Sequence, residues 1–449
     1  LKGNNTFEKL SYQLTPTGSD NKGSFGVTLK KKGEIEMGYA FLEPGTWGRV
    51  NGFHIRKQFV DALKTAGIGT IRYNGSMVDV GADTYMYRWK KMLGPTDERR
   101  VCYRNGFNAY ATHSFGIIEM LQFAEAVGAE KVIGMSMDET AQDIRDFVEY
   151  ANGAVTTKWG KLRASHGHPA PYNVKYIEVD NERQLNRGYL ECVKKFATAA
   201  WAVDPEVHIS CSLNIGSNLA NYARGSNQYA LASELFGWFI KQNKGDRMVW
   251  DPHYSGAINF SDSPGFTHEM GIDMQTELAK DYPGHVLTLC ALEENGRSCD
   301  WNRGLAHAHN WNTLQRMGNH FKMLATANTF QPAGQHYMWD QGRFHYTSNE
   351  MWLQPSAYID EKMAGNWLPN VVETTSSKEN VLDITAKIND QKDELSIYVV
   401  NITDTPQQAL INVGDFKFNG KAQIWTIGDC ALTELNTIAN KKNVVPKTS

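Results

Sequence analysis

The feature that most constrains the fold is an alternation, from about residue 60 to residue 345, of short apolar runs with helix-like segments. Strands that alternate with helices pair in parallel, and strands that are apolar almost throughout are covered on both faces. This pattern predicts an α/β fold of the (β/α)8 TIM-barrel type. The predicted strands are residues 69–75, 131–137, 174–182, 208–215, 248–254, 285–295 and 334–340.

The sequence pattern changes after about residue 365. There, short segments of alternating apolar and polar residues are separated by turn residues, and no helical pattern intervenes. This indicates a C-terminal all-β sandwich, jelly-roll-like, with strands at 381–388, 394–403, 408–414 and 421–428. The start of the chain, including residues 24–38, also reads as β structure. The predicted organisation is an N-terminal β segment over 1–40, a remnant of a preceding domain being one interpretation, a barrel over 41–364 and a β-sandwich over 365–449.

Composition excludes several classes of protein. The formal net charge of −3, without a basic stripe, argues against nucleic acid as a partner. No run approaches 18 apolar residues, so no membrane span is expected. The six cysteines form no CxxC pair, and His166 and His168 lack a third ligand, so we expect neither a metal nor another cofactor.

Polar side chains lie at the carboxyl ends of most of the predicted barrel strands. The carboxyl ends of barrel strands converge at one mouth, so we expect these side chains to meet. They are Arg72 and Asn74, Asn181 and Glu182, His253 and Tyr254, Glu293 to Asn295, and Trp339 and Asp340.

Two of these strand ends carry glutamates about 110 residues apart in sequence, and glycoside hydrolysis uses such a pair of carboxyl groups. One protonates the leaving oxygen, and the other attacks the anomeric carbon or activates water. Asn181 could hydrogen-bond a sugar hydroxyl, and Arg72 could keep the nucleophile ionised.

Two long segments of the sequence show a specific resemblance to a known family. They are 71-IRYNGSMVDVGADTYMYRWKKMLGPTDERR-100 and 158-KWGKLRASHGHPAPYNVKYIEVDNE-182. They resemble glycoside hydrolase family 51, which contains the α-L-arabinofuranosidases. The resemblance implies retaining double displacement, with Glu182 as general acid/base at the end of the fourth barrel strand. It also implies that His253 lies at the substrate site and that Tyr254 hydrogen-bonds the nucleophile. Trp339, at the end of its predicted strand, is expected to bind substrate as well. This chain has Met77 where the family has an Asn that helps to hold arabinose.

The nucleophile is expected in 291-ALEENG-296, where two glutamates compete. The register of some family members selects Glu294 over Glu293. The glutamate that is not used is expected to point into the barrel wall or to pair with a neighbouring cation.

The leading hypothesis is an exo-acting α-L-arabinofuranosidase on the side chains of plant-wall polysaccharide. An endo-β-1,4-glucanase or xylan-acting enzyme is the alternative within the family, and Trp301, Trp311 and Trp339 as stacking platforms in an open cleft would favour it. An inactive carbohydrate-binding protein is the alternative from another class.

Only seven barrel strands are predicted, whereas a closed barrel has eight. In the family the first strand precedes the segment that resembles residues 6–45, so we expect the chain to be a fragment, with a companion fragment supplying that strand. A homo-oligomer stays open, and an extracellular or periplasmic location is favoured because enzymes on plant polysaccharide are usually exported.

Overall fold

The computed structural model describes residues 7–20, 23–38, 40–79, 87–104, 109–213, 222–255, 265–296, 298–335, 340–378 and 380–449. The strands are β1 (Arg49–Val50), β2 (Phe53–Arg56), β3 (Thr70–Tyr73), β4 (Val101–Arg104), β5 (Ala109–Thr112), β6 (Glu130–Met135), β7 (Tyr176–Arg183), β8 (His208–Leu213), β9 (Met248–Pro252), β10 (Tyr254–Ser255), β11 (Thr288–Asn295), β12 (Phe321–Thr326), β13 (Phe330–Pro332), β14 (Phe344–Tyr346), β15 (Met351–Leu353), β16 (Asn370–Val372), β17 (Leu382–Ile388), β18 (Leu395–Asn401), β19 (Trp425–Thr426) and β20 (Lys447–Thr448). The α-helices are α1 (Lys57–Thr65), α2 (Ile117–Val127), α3 (Ala141–Asn152), α4 (Lys158–Ser165), α5 (Arg187–Trp201), α6 (Asn227–Lys241), α7 (Gly265–Asp281), α8 (Trp301–Arg316) and α9 (Pro355–Gly365).

Seven strands form one parallel sheet that curves into a nearly closed barrel, in the order β3-β6-β7-β8-β9-β11-β12. The short β10 also pairs in parallel with β11. Every residue of β8 and β9 is buried, as expected for strands that are covered by helices on one face and by the barrel interior on the other. The TIM-barrel prediction is therefore confirmed.

The prediction of the last barrel strand is wrong, because the strand that follows β11 in the sheet is β12 and not residues 334–340. Residues 334–335 and 340 are not in a strand, and 336–339 lie outside the described residues. β12 could not be predicted from the sequence, because this strand is half-buried and carries an exposed Lys322. It therefore lacks the continuous apolar run of the other strands.

Side-chain caps fix where several barrel helices begin. Thr140, Asn186, Ser226 and Asp300 each accept a hydrogen bond from a backbone N–H in the first turn of the following helix. The capping residue Asp300 stands five positions after the end of β11, which holds the beginning of α8 close to the end of that strand.

The C-terminal region contains antiparallel β structure, as predicted. β16, β17 and β18 form a three-stranded sheet, and β19 pairs with β20. The predicted strands at 381–388 and 394–403 are present, whereas 408–414 has no strand and 421–428 contains only two strand residues. Asp383 in β17 pairs with His309 and Arg316 of α8, which joins this domain to the barrel.

The N-terminal region differs from its prediction. Residues 7–20, 23–38 and 40–45 contain no strand, and Tyr12, Phe25 and Phe41 are exposed. β structure in this region begins only at β1, so the expected strand over 24–38 is absent from the described residues.

Candidate active site

The end of β7 carries the glutamate expected to act as general acid/base. Asp180 and Glu182 adopt left-handed backbone conformations, with φ of 57° and 49°. Such conformations are unfavourable for non-glycine residues and recur at functional sites. The Glu182 side chain is 38% exposed, and its backbone N–H donates to Ser212 Oγ on β8. The bend in the strand therefore leaves this carboxyl group accessible at the barrel mouth.

Arg72 at the end of β3 binds three groups on two other strands. Its Nε donates to Glu178 (2.6 Å), and its two terminal nitrogens donate to Glu293 (2.5 Å) and to the Asn181 side-chain oxygen (2.7 Å). The Arg72 side chain is only 8% exposed. A buried guanidinium with carboxylate partners is held rigidly, so Arg72 ties the ends of β3, β7 and β11 together.

His253 follows β9 and lies between acids on three strands. Its Nδ1 is 3.3 Å from Glu182 and 3.5 Å from Glu293. Its Nε2 is 3.1 Å from both Asp251 and Ser212 Oγ. Burial would lower the pKa of His253, but the neighbouring carboxylates outweigh burial and raise it well above its ordinary value. The imidazole is therefore a cation that bridges the two glutamates.

The two glutamates at the end of β11 face opposite sides of the strand. Glu293 faces the mouth and binds Arg72. The fully buried Glu294 faces α8 and makes a bidentate ion pair with Arg303. This corrects the expected placement of Glu294 in the mouth. Cys290 and Leu292 lie in the barrel interior, so simple alternation would put residue 294 inside, but the register of β11 shifts between Ala291 and Glu294.

The distance between the two mouth carboxylates decides which chemistry they can perform. One oxygen of Glu182, one of Glu293 and one ring nitrogen of His253 all lie within 4.8 Å of one another. Retaining glycosidases place their carboxyl groups about 5–5.5 Å apart, and inverting enzymes leave about 6.5–9.5 Å for a water molecule. The spacing fits direct attack by a carboxylate.

The charges around Glu293 keep it ionised. Burial would raise its pKa, but Arg72 and His253 outweigh burial and hold the pKa below its ordinary value. Asn295 donates to the other Glu293 oxygen (3.1 Å), and Gln341 in turn donates to Asn295 (3.0 Å). An ionised carboxylate in a fixed orientation is what a nucleophile requires.

Two acids beneath the mouth have structural partners. Glu178 is fully buried, and although burial opposes it, Arg72 and His253 lower its pKa to about 2. Asp180 accepts hydrogen bonds from Arg183 and from the backbone N–H of Met137. The negative charge that Asp180 adds next to the mouth is thus balanced by Arg183.

The aromatic residues expected at the mouth are only partly covered by the structure. Trp339 and the side chain of Tyr254 lie outside the described residues, although the Tyr254 backbone pairs with Glu294. Trp301 is buried at the start of α8, and Trp311 donates to His307 and Asp360 behind the barrel wall. Trp301 and Trp311 therefore do not lie at the mouth as stacking platforms.

Groups with metal-ligand chemistry occur at three places in the described part of the chain. Two involve His253, with Glu182 and Glu293 or with Glu178 and Asp251, where Arg72 and His253 already supply positive charge. The third is Cys299, Asp340 and His345, where burial raises the pKa of Cys299 to about 12 and so opposes the thiolate that a metal needs. His166 and His168 instead contact Tyr150 and Glu125.

Several site residues were not singled out as such from the sequence. Glu178, Asp251, Ser212 and Gln341 each contact a mouth residue through a side chain. Asp251 and Glu178 carried a signal, since acids in the middle of apolar strands are rarely buried without a partner. Ser212 and Gln341 carried no signal, because serine and glutamine are common in strands and loops.

The comparisons with known proteins agree with this geometry. Residues 62–236 match the sequence profile described as the Alpha-L-arabinofuranosidase 1 domain. An extracellular exo-α-L-arabinofuranosidase of Streptomyces chartreusis is 29% identical over 230 residues, which are 45% of this chain and 28% of that protein. A probable α-L-arabinofuranosidase C of Aspergillus flavus is 30% identical over 220 residues, 45% of this chain and 42% of that protein. The matches thus span less than half of these relatives.

Solved structures extend the likeness to most of the fold. The α-L-arabinofuranosidase of Thermotoga maritima, solved as an arabinose complex, superposes with a TM-score of 0.68 at 20% identity, covering 88% of this chain and 86% of that one. The family 51 enzyme of Thermotoga petrophila gives a TM-score of 0.70 at 19% identity, covering 90% and 87%. In sequence over residues 62–236 and in fold over most of its length, this chain resembles the α-L-arabinofuranosidases of glycoside hydrolase family 51.

Proposed function

We propose that this chain is a retaining, exo-acting α-L-arabinofuranosidase that removes arabinofuranosyl side chains from plant-wall polysaccharide. The observation that carries the proposal is the placement of Glu182, Glu293 and His253 within 4.8 Å of one another, beside Arg72. We choose arabinofuranose as the sugar because the relatives are named as arabinofuranosidases. The extracellular Streptomyces relative favours an exported protein. No helix in the described ranges is long and apolar enough to cross a membrane.

The first step forms a covalent intermediate. A Glu293 carboxylate oxygen attacks the anomeric carbon while the bond from that carbon to the leaving oxygen breaks. Glu182 gives its proton to the leaving oxygen, which departs as an alcohol. We assign the nucleophile to Glu293 because the carboxylate of Glu294 is fully buried against Arg303 and cannot reach a sugar.

The second step releases the sugar. Glu182, now ionised, takes a proton from water while the water oxygen attacks the anomeric carbon and the bond to Glu293 breaks. Two inversions at one carbon give net retention. His253 lies 3.3 Å from Glu182 and 3.5 Å from Glu293, so it orients both carboxyl groups and counterbalances the charge that moves between them.

The test uses 4-nitrophenyl α-L-arabinofuranoside with the wild type and with Glu182→Ala, Glu293→Ala and Glu294→Ala, each with and without azide. We expect Glu293→Ala to lose about 10⁴-fold or more in kcat and to be rescued by azide, giving the glycosyl azide of inverted configuration. Azide should rescue Glu182→Ala with retention, because the small anion replaces the deprotonated water.

Other outcomes would contradict the assignment. Rescue of Glu294→Ala with inversion, and not of Glu293→Ala, would assign the nucleophile to Glu294. Wild-type cleavage of xylan or carboxymethyl-cellulose without turnover of the arabinoside would replace the proposed activity with an endo-acting one. Binding of these polysaccharides without any cleavage would make the chain a carbohydrate-binding protein.

A further inference from the structure

Three side chains that take no part in the proposed reaction bring different donor atoms to one place. The Sγ atom of Cys299, a carboxylate oxygen of Asp340 and a ring nitrogen of His345 all lie within 4.8 Å of one another. Cys299 lies between β11 and α8, Asp340 precedes β14, and His345 belongs to β14. Cys299 and His345 are only 6% and 8% exposed. A thiol, a carboxylate and an imidazole from three segments therefore converge in a nearly buried place.

Cys299 is held in position by the cap of α8. Its neighbour Asp300 accepts hydrogen bonds from Ser298 Oγ (2.7 Å) and from the backbone N–H of Arg303 (3.1 Å). Both neighbours of Cys299 are thus anchored to the first turn of the helix. The cap therefore fixes the backbone of Cys299 before any ligand arrives.

His345 is held in position by strand pairing on both sides. It is the middle residue of β14, opposite Gln331 of β13 and opposite Trp352 of β15. The ring of Trp352 packs edge-on against the imidazole, with 5.8 Å between the ring centroids. A side chain that is already ordered loses little conformational entropy when it binds a ligand.

The Asp340 carboxylate is oriented by a second layer of hydrogen bonds. The side-chain nitrogen of Gln331 donates to one of its oxygens, and the Gln331 oxygen accepts from the backbone N–H of Gly342 (2.8 Å). Carboxylates that bind metals are commonly hydrogen-bonded by such outer partners, which orient them. All three donor groups are therefore positioned by the fold itself.

The types of donor atom select the kind of cation. Thiolate, imidazole and carboxylate are the ligands of Zn²⁺, whereas Mg²⁺ and Ca²⁺ prefer oxygen alone. Tetrahedral Zn²⁺ holds its ligand atoms about 3.3–3.8 Å apart, so donor atoms within 4.8 Å need only small side-chain movements. The two negative charges of a thiolate and a carboxylate cancel the charge of Zn²⁺, and a neutral cluster suits a buried place.

The thiol proton is the group that the cation displaces. In the absence of a metal, burial and the Asp340 carboxylate raise the pKa of Cys299 to about 12. A divalent cation opposes both effects, because it stabilises the thiolate directly and neutralises the carboxylate. The S–H bond breaks as the Zn–S bond forms, and the proton passes to water. Metal affinity therefore increases with pH.

We propose that Cys299, Asp340 and His345 bind one Zn²⁺ ion, with a water molecule as the fourth ligand. The ion is structural and takes no part in cleaving the glycosidic bond. It fastens the segment between β11 and α8 to β14 and to the residues just before it, and so stabilises this side of the barrel.

The test measures metal binding by the chain of residues 1–449 after dialysis against a chelator. Co²⁺ is the probe, because it replaces Zn²⁺ in tetrahedral sites and its bond to a thiolate gives a charge-transfer band in the near ultraviolet. We expect one Co²⁺ per chain with this band and its displacement by one equivalent of Zn²⁺. Zn²⁺ at about 100 times its dissociation constant should raise the unfolding midpoint by about 2–5 °C.

A matched pair of cysteine variants locates the ion. Cys299→Ser keeps the size of the side chain but should abolish the band and weaken Zn²⁺ binding by about 100-fold or more, since even the loss of an outer partner costs about 10–100-fold. Cys430→Ser removes an exposed thiol and should change neither. If Cys299→Ser fails to fold, His345→Gln gives the same comparison of Zn²⁺ affinity.

Three outcomes would overturn the proposal. A wild-type chain that binds no Co²⁺ with a thiolate band has no such site. Loss of the band in Cys430→Ser, and not in Cys299→Ser, would assign the metal to the exposed thiol. Zn²⁺ binding that persists in Cys299→Ser and is lost in Glu293→Gln would place the ion at the barrel mouth. No step of this test depends on turnover, so the proposed activity is tested separately.

Discussion

At the scale of single residues, two adjacent glutamates are given different properties by their partners. Glu293 is 18% exposed and faces Arg72 and His253, whereas Glu294 is fully buried and paired with Arg303. In both cases burial works against ionisation and nearby cations outweigh it, so the pKa of each lies below its ordinary value. Access to the mouth, rather than ionisation, separates the candidate nucleophile from its neighbour.

Replacing Arg72 tests how Glu293 is kept ionised. In Arg72→Met the strongest favourable charge on Glu293 is removed while its burial remains, so its pKa should rise. Activity requires the carboxylate, so the acidic limb of the kcat/KM profile should move to higher pH. The pH dependence of kcat/KM measures this shift.

The control for Arg72→Met is Arg187→Met, which removes an exposed arginine paired with Glu234 on the outer helices. Its pH profile should match that of the wild type. An unchanged acidic limb in Arg72→Met would mean that Arg72 does not set the ionisation of Glu293.

At the scale of elements, the end of β11 is held by buried charges on two helices. Arg303 and His307 of α8 bind Glu294, and Asp360 of α9 binds both His307 and Arg343. All of these side chains are nearly or fully inaccessible to solvent. The network joins β11 to α8 and α9, and it fixes the side of the strand on which Glu294, and therefore Glu293, lies.

Glu294→Gln should destabilise the fold by about 3–5 kcal/mol, because it leaves the buried Arg303 without its counter-charge. The pKa of Glu294 is lowered by folding, so its stabilisation is present above the ordinary value of 4.5 and is lost as pH falls below it. The difference from the wild type in urea-unfolding free energy should therefore be large near about pH 7 and should shrink toward about pH 3.

The matched control is Glu234→Gln, which breaks exposed pairs with Arg187 and Lys194. It should change the free energy of unfolding by no more than about 1 kcal/mol at any pH. A Glu294→Gln variant as stable as this control would show that the network does not hold β11.

At the scale of the whole molecule, the barrel and the region before it differ in how they are held. Most of the helices and strands of the barrel enclose one large apolar cluster, whereas Tyr12, Phe25 and Phe41 are exposed on a segment without strands. Segments with few buried contacts open at little free-energy cost.

Limited digestion with chymotrypsin should therefore cut the segment before residue 45 first. The enzyme cleaves after aromatic residues, and Tyr12 and Phe25 are 82% and 65% exposed, whereas Phe147 and Tyr189 in the barrel are buried. Mass spectrometry should find the trimmed chain, and calorimetry should find its main unfolding transition little changed. Early cuts within α3 or α5 would contradict this expectation.

Much of the fold could be predicted from local pattern. Six of the seven predicted barrel strands are present in the structure. They could be predicted because buried strands between helices appear in the sequence as short apolar runs. β12 could not be found in this way, since a strand at an open edge is only half-buried and includes Lys322. The predicted strands at 408–414 and 24–38 do not form, because a strand also requires a partner strand and the described residues provide none there.

The candidate site, too, could be predicted only in part. By itself, the sequence determined that acids, an arginine and a histidine end neighbouring barrel strands, because strand ends are marked by a change from apolar to polar residues. Only the tertiary structure decided which glutamate faces the mouth, because a shift in the register of β11 reverses the alternation that the residues alone suggest. Only the tertiary structure, too, brought Arg72, His253 and Glu293 together, since contacts between residues on different strands depend on how the strands are ordered in the barrel.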